Sequence, residues 1–142
     1  LNLRDYPLEP FQDLRHHGDY AKPEGNALSL LEASLDCDDL VFVTPVYWYS
    51  VPAPLKLYLD YWSHWMRVAE TGFKESMRGK NLWAVSCSAG PAIEAQHMFA
   101  SLELSAKYME MNWSGFVLGN GSAAGDVLTD DDAVEKARVL FQ

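Results

Sequence analysis

The chain has 142 residues, with 11 Lys+Arg against 20 Asp+Glu for a net charge of −9, and is 49% hydrophobic and 22% charged. That is the length of one domain and the composition of a globular chain, so residues 1–142 are read as a single unit. So acidic a surface repels phosphate backbones and anionic membranes, which speaks against nucleic-acid and membrane partners, and no apolar run approaches the roughly 20 residues of a membrane helix. Cys37 and Cys87 form neither a paired metal-ligand motif nor a disulfide scaffold, and the expected setting is reduced and cytoplasmic.

In chain order, residues 1–5 alternate apolar and polar and read as a short strand, stopped by Pro7 and Pro10. A polar loop with Gly18, Pro23 and Gly25 follows. Residues 26–36 predict a helix whose face carries Leu28, Leu31 and Leu35. Residues 40–44 form a β-branched and aromatic run of the kind buried on both sides in a parallel sheet. A second helix carries Leu55, Tyr58, Leu59, Trp62 and Met66, with Pro54 in its first turn, where a missing N–H costs nothing. Residues 81–87 predict another strand, and residues 92–109 a third helix with Ile93, Met98, Phe99, Leu102 and Met109 available for burial. Residues 116–118 predict a last strand, ended by Gly119-Asn120-Gly121. Thr129 or Asp130 then caps a final helix carrying Val134, Ala137 and Leu140. Alternating strands and helices predict an α/β fold with helices on both faces of a parallel sheet.

Ligands of open α/β sheets bind beyond the carboxyl ends of the strands, and two loops are expected there. The first contains Thr44, Pro45, Val46, Tyr47, Trp48, Tyr49 and Ser50, three consecutive aromatics held between prolines. A stiff aromatic loop suits a planar ring system, because stacking supplies affinity at low entropic cost. The second contains Ser88, Ala89 and Gly90, small residues that let the backbone approach a ligand and offer it N–H groups.

These residues carry a resemblance. Thr44-Pro45-Val46-Tyr47, Pro52-Ala53-Pro54-Leu55-Lys56 and Asp60 resemble the TPxY…PxxLKxxxD signature of the NAD(P)H-dependent FMN reductases, and residues 86–90 are similar to that family's small-residue flavin loop. Residues 107–115 resemble its stretch before the last strand. The resemblance implies a flavodoxin-like doubly wound parallel sheet and an FMN whose ring edge meets the backbone of the first loop and whose other side meets the second. NADH or NADPH is implied as co-substrate, and a quinone, flavin or similar planar molecule as electron acceptor. Within the signature, Leu55 is expected to pack its helix and Lys56 to pair with Asp60. The family's opening strand and phosphate-gripping loop have no counterpart here, and residues 1–5 align better with its second strand. The expectation is therefore a domain lacking its first strand–helix unit, an interior one in the order 2-1-3-4-5.

No side-chain acid or base is required of a flavin hydride carrier, and none is expected in either loop. No metal site is expected either. His16 and His17 are adjacent and point apart, and Asp130, Asp131 and Asp132 read as a helix start favoured by the dipole. His64 reads as a surface or interface residue, His97 as solvated and Cys87 as a small buried hydrophobe. Tyr58, Tyr61 and Trp65 are expected beside the buried stripe of their helix, as an exposed patch that makes a homodimer or tetramer. The alternatives are a flavodoxin-type electron carrier without its own NAD(P)H activity and a flavin-free truncated family member.

Overall fold

In the computed structural model, which describes residues 1–140, three parallel strands stand in the order β1-β2-β3: β1 (Asp39–Val43), β2 (Asn81–Ser88) and β3 (Asn112–Asn120). Around them lie α1 (Gly25–Leu35), α2 (Ala53–Trp65), α3 (Phe73–Met77), α4 (Ala92–Tyr108) and α5 (Asp131–Arg138). Phe42 pairs with Ala84, which pairs with Phe116, and this row faces the helices that follow β1 and β2. On that side Phe42 meets Tyr58 and Trp62 of α2, and Phe99 of α4 stacks on Phe116 at 3.8 Å. Ala133 of α5 and Val127 approach the opposite side of β3 at Gly119, so helices lie on both faces. The expected α/β class and parallel sheet are thus present.

The strand expected over residues 1–5 is instead a turn, closed by the N–H groups of Asp5 and Tyr6 on the carbonyls of Asn2 and Leu3. Alternation alone makes no strand without a neighbouring ladder to pair with. β3 is longer than expected because a bulge carries it past its polar start. Leu82 pairs with Trp113 and Trp83 with Gly115, leaving Ser114 as the extra residue, and Gly115 accommodates φ 122°. The short α3 and its buried Phe73 and Met77 had no periodic signal long enough to show.

Two helices bury different faces from those expected. In α1 the buried residues are Leu30, Leu31 and Ser34, while Leu28 is exposed. Ser34 belongs inside because its Oγ donates to the Leu30 carbonyl and meets the Tyr58 hydroxyl, each at 2.6 Å. Hydrophobic spacing does not count a serine, so the face was read one step round the helix. In α2, Tyr58 and Trp65 are internal. Edge-to-face contacts join Tyr58, Trp62, Trp65 and Phe73, an arrangement worth about 0.5–1.5 kcal/mol per pair beyond burial. The N-terminal segment closes over the flank of α2: Tyr61 donates to the Glu9 carbonyl at 3.0 Å, and His64 Nε2 meets the Ala21 carbonyl at 2.6 Å. The aromatic patch that pointed to an oligomer is therefore used within the chain. Ile93 and Ala137 are exposed, and Ala133 is the buried residue of α5.

Candidate functional site

The parallel register brings the two expected loops side by side. Val43 pairs with Val85, so β1 and β2 end together, and the Thr44 N–H continues the ladder to the Val85 carbonyl at 2.9 Å. The buried Ser86 hydroxyl then donates to the Thr44 carbonyl at 2.6 Å. This neutral pair fixes the base of the first loop against the base of the second.

Beyond that base, Tyr47 and Ser50 exchange two backbone hydrogen bonds, Tyr47 N–H to Ser50 carbonyl at 2.9 Å and the reverse at 3.0 Å. Trp48 and Tyr49 between them both take left-handed backbone, φ 50° and 63°. That is a two-residue turn of type I′, whose central positions normally hold Asn or Gly. Indole and phenol stand there instead, at a backbone cost of about 1–2 kcal/mol per residue. The indole gains almost no packing in return and the phenols only part of it: Trp48 is 94% exposed, Tyr47 59% and Tyr49 53%. Strain held with solvent-facing aromatics is a signature of a binding surface rather than of a core. Pro52, extended at φ −66° and ψ 159°, precedes α2 and stiffens the exit, with Pro54 in the first turn as expected.

In the second loop, the Ser88 hydroxyl accepts the Gly90 N–H at 3.2 Å, and the Ser88 carbonyl accepts the Gly121 N–H at 3.2 Å. The latter bond recruits a third loop, which the sequence marked only as a strand end at Gly119-Asn120-Gly121. A Cβ on Gly121 would come within 2.9 Å of the Val127 nitrogen, so this glycine permits the close approach. Asp126 accepts the N–H groups of Ala123 and Ser122, and Asp130 those of Asn120 and Ala133, which holds both carboxyls below the ordinary carboxylate range. Asp130 is thus the cap of α5, and the acidic run serves the backbone. Among the described residues, no three His, Cys, Asp or Glu side chains are placed to hold a metal.

Thr44, Pro45 and Tyr47 also border a cavity of about 580 Å³ beside β1. Ser88, Ala89 and Gly90 do not line it; they join the first loop through the Ser86–Thr44 bond. Cys87 is exposed at the end of β2, contrary to the expectation of burial, because its side chain leaves the helix-covered face of the sheet. Burial raises the Cys37 thiol above its usual range. His16, His17 and His97 are exposed, and Lys56 pairs with Asp60 at 2.6 Å on α2 as expected.

The arrangement fits a flat heterocycle. Exposed rings offer a stacking face, and the N–H groups of Val46, Trp48, Tyr49 and Ala89 have no protein acceptor among the described residues, leaving donors for the edge of a ring.

Residues 2–140 match the family described as flavodoxin-like fold. The chain is 33% identical over 145 residues, all of this chain and 80% of the relative, to a Bacillus subtilis (strain 168) protein named as the NAD(P)H-dependent FMN-containing oxidoreductase YwqN. Among solved structures it is similar to the Trp repressor binding protein of Bacillus subtilis, with a TM-score of 0.77 and 33% identity over 80% of this chain and 74% of that one. It also shares the fold of general stress protein 14 of Treponema denticola, solved in complex with FMN (TM-score 0.60, 20% identity, 80% of this chain and 70% of that one). Sequence signature and parallel sheet agree with these findings: the chain belongs to the flavodoxin-like family, as a relative of its NAD(P)H-dependent FMN reductases.

Proposed function

We propose that the chain is an FMN-dependent NAD(P)H oxidoreductase that passes hydride from a nicotinamide to a quinone, a flavin or a similar planar acceptor. The observation that carries this reading is the strained type I′ turn, which spends backbone energy to hold Trp48 and Tyr49 out of the core beside unpaired amides. The 33% identical relative named for this chemistry supports it. Bound FMN supplies two-electron transfer between nicotinamide and acceptor. The chain's own part is to bind and orient. Amides of the 44–50 loop meet the ring edge, the Ser88, Ala89 and Gly90 backbone meets its other side, and the exposed rings border the face where nicotinamide and acceptor stack in turn. Neither loop carries a carboxyl or imidazole group, and the proton that accompanies hydride to the acceptor is supplied by solvent. The described residues form one sheet with its helices, which we read as one domain, and no described helix is long and apolar enough to cross a membrane.

The test is FMN titration by fluorescence quenching, followed by NADH and NADPH oxidation with a soluble quinone. FMN binding with quinone-dependent oxidation of either nucleotide is the expected result. FMN binding without nucleotide oxidation would assign the chain to electron carriers, and failure to bind FMN would remove the flavin reading altogether.

A further inference from the structure

One carboxylate at the candidate site has no task in the fold. Glu94 stands in the first turn of α4, and its Oε2 lies 2.6 Å from where a Cβ on Gly90 would be. The carboxylate is thus seated against the second loop, half-buried. A glutamate at this helical position usually closes a capping box on the N–H of the cap residue. Here the cap is Pro91, which has no N–H to offer. Among the described residues the Glu94 side chain makes no hydrogen bond and no ion pair, and His97, one turn on, does not pair with it. The neighbouring charges have the same sign. Asp126 and Asp130 hold the third loop, which the Gly121 N–H ties to Ser88. Between residues 81 and 135 the one Lys or Arg is Lys107, in the last turn of α4. At the rise of a helix, that is about 20 Å from Glu94. Residues 44–54 carry no charge, and Lys56 is paired with Asp60 at 2.6 Å. Arg4 borders the cavity beside β1, which the second loop does not reach.

We infer that Glu94 is a specificity-determining residue, which admits uncharged planar acceptors and turns away those with negative charge near the ring. This rests on the flavin reading above and deepens it. An unpaired charge set against one class of ligand discriminates by repulsion, without adding a contact to the favoured class. A negative charge about 7 Å from a carboxylate is disfavoured about threefold in water and about fiftyfold at an effective dielectric of about 20. The acceptors of this site are then neutral quinones and related rings, not sulfonated or carboxylated ones.

The probes are anthraquinone sulfonate and anthraquinone sulfonamide, which share a ring and a shape and differ by one charge. Equilibrium dialysis of the FMN-loaded chain without nucleotide reads their affinities, and oxidation of NADH or NADPH reads their kcat/KM values. The sulfonamide is expected to be favoured about fivefold or more in both readings. Glu94→Gln lowers that ratio about threefold or more, and Glu94→Asp, which keeps the charge, retains it. Raising salt from about 50 mM to about 0.5 M narrows the ratio in the parent, an arm that needs no variant. A ratio that Glu94→Gln leaves unchanged, or that survives high salt, overturns the inference while the flavin reading stands. Equal affinities in the parent do the same. Failure to bind FMN overturns both, and the FMN titration that precedes the dialysis tells the cases apart.

Discussion

Trp48→Asn separates the stability of the 44–50 loop from its use. At φ 50° an L-residue with a bulky side chain costs about 1–2 kcal/mol of backbone strain, whereas Asn visits this region readily and is favoured in type I′ turns. Because the indole is 94% exposed, its removal gives up almost no burial. The expected gain is about 0.5–1 kcal/mol, a rise in melting temperature of roughly 2–4 °C for a chain of this size. A Trp48→Val control places a β-branched residue where backbone and side chain conflict, and melts below the parent. Planar-ligand binding moves the other way. Losing one aromatic face costs about 0.5–1.5 kcal/mol, a two- to tenfold weaker Kd for FMN or quinone. Thermal melts followed by circular dichroism, paired with fluorescence titrations, read both effects on the same samples. A Trp48→Asn variant that melts lower than the parent refutes the strained turn, and one that binds as tightly refutes the stacking role.

Gly90→Leu is expected to weaken FMN binding more than Trp48→Asn does, since the leucine side chain occupies the space through which a ring would approach the backbone and pushes aside the Glu94 carboxylate; unchanged affinity in the titration would show the second loop to be wrongly assigned. Ser34→Ala strands the buried Tyr58 hydroxyl and costs about 1–3 kcal/mol in urea unfolding, while Tyr58→Phe leaves Ser34 bonded to Leu30 and costs about 0.5–1.5 kcal/mol; since the Ser34 hydrogen is committed to Leu30, Tyr58 donates to Ser34 Oγ, and equal losses would contradict that arrangement. Trp65→Ala removes a fully buried ring and costs about 3–5 kcal/mol by the same measurement, and a loss under 1 kcal/mol would place Trp65 back on the surface. Asp126 and Asp130 are held below their ordinary range by the backbone N–H groups they accept, so their stabilisation is full above the unfolded carboxylate value near ~3.9 and fades as pH falls below it. NMR titration of the Ala123 and Ala133 amides should report midpoints under that value, and midpoints at or above it would remove the caps.

What was legible in the sequence followed from local chemistry. The β-branched run of β1, the Pro54 start of α2 and the Asp130 cap of α5 each state their structure within a few residues. The paired loops were legible because a continuous apolar strand fixes where its carboxyl end lies, and small or aromatic residues follow it. What stayed hidden depended on distant partners. Ser34 is buried only because Tyr58, 24 residues away, meets its hydroxyl. Trp65 looked like an interface residue because nothing near it announces that Phe73 and the N-terminal segment cover its helix. The strand expected over residues 1–5 failed for the same reason in reverse, a pattern without a neighbour. The I′ turn was hidden more deeply, since Trp-Tyr is the opposite of what such a turn selects; local rules fail there, as they do at sites of the kind proposed above.

The contrast between the indoles also gives the molecule an optical layout. Trp62 and Trp65 lie within the core, while Trp48 stands in water at the tip of the candidate site. Their emission therefore separates by wavelength, and an aqueous quencher such as iodide reaches Trp48 most readily, the half-buried Trp83 and Trp113 less, and leaves the buried pair bright. Anything that settles on the 44–50 loop shields that one indole from the quencher, so occupancy of the site can be followed through the chain's own fluorescence, without a label and without turnover.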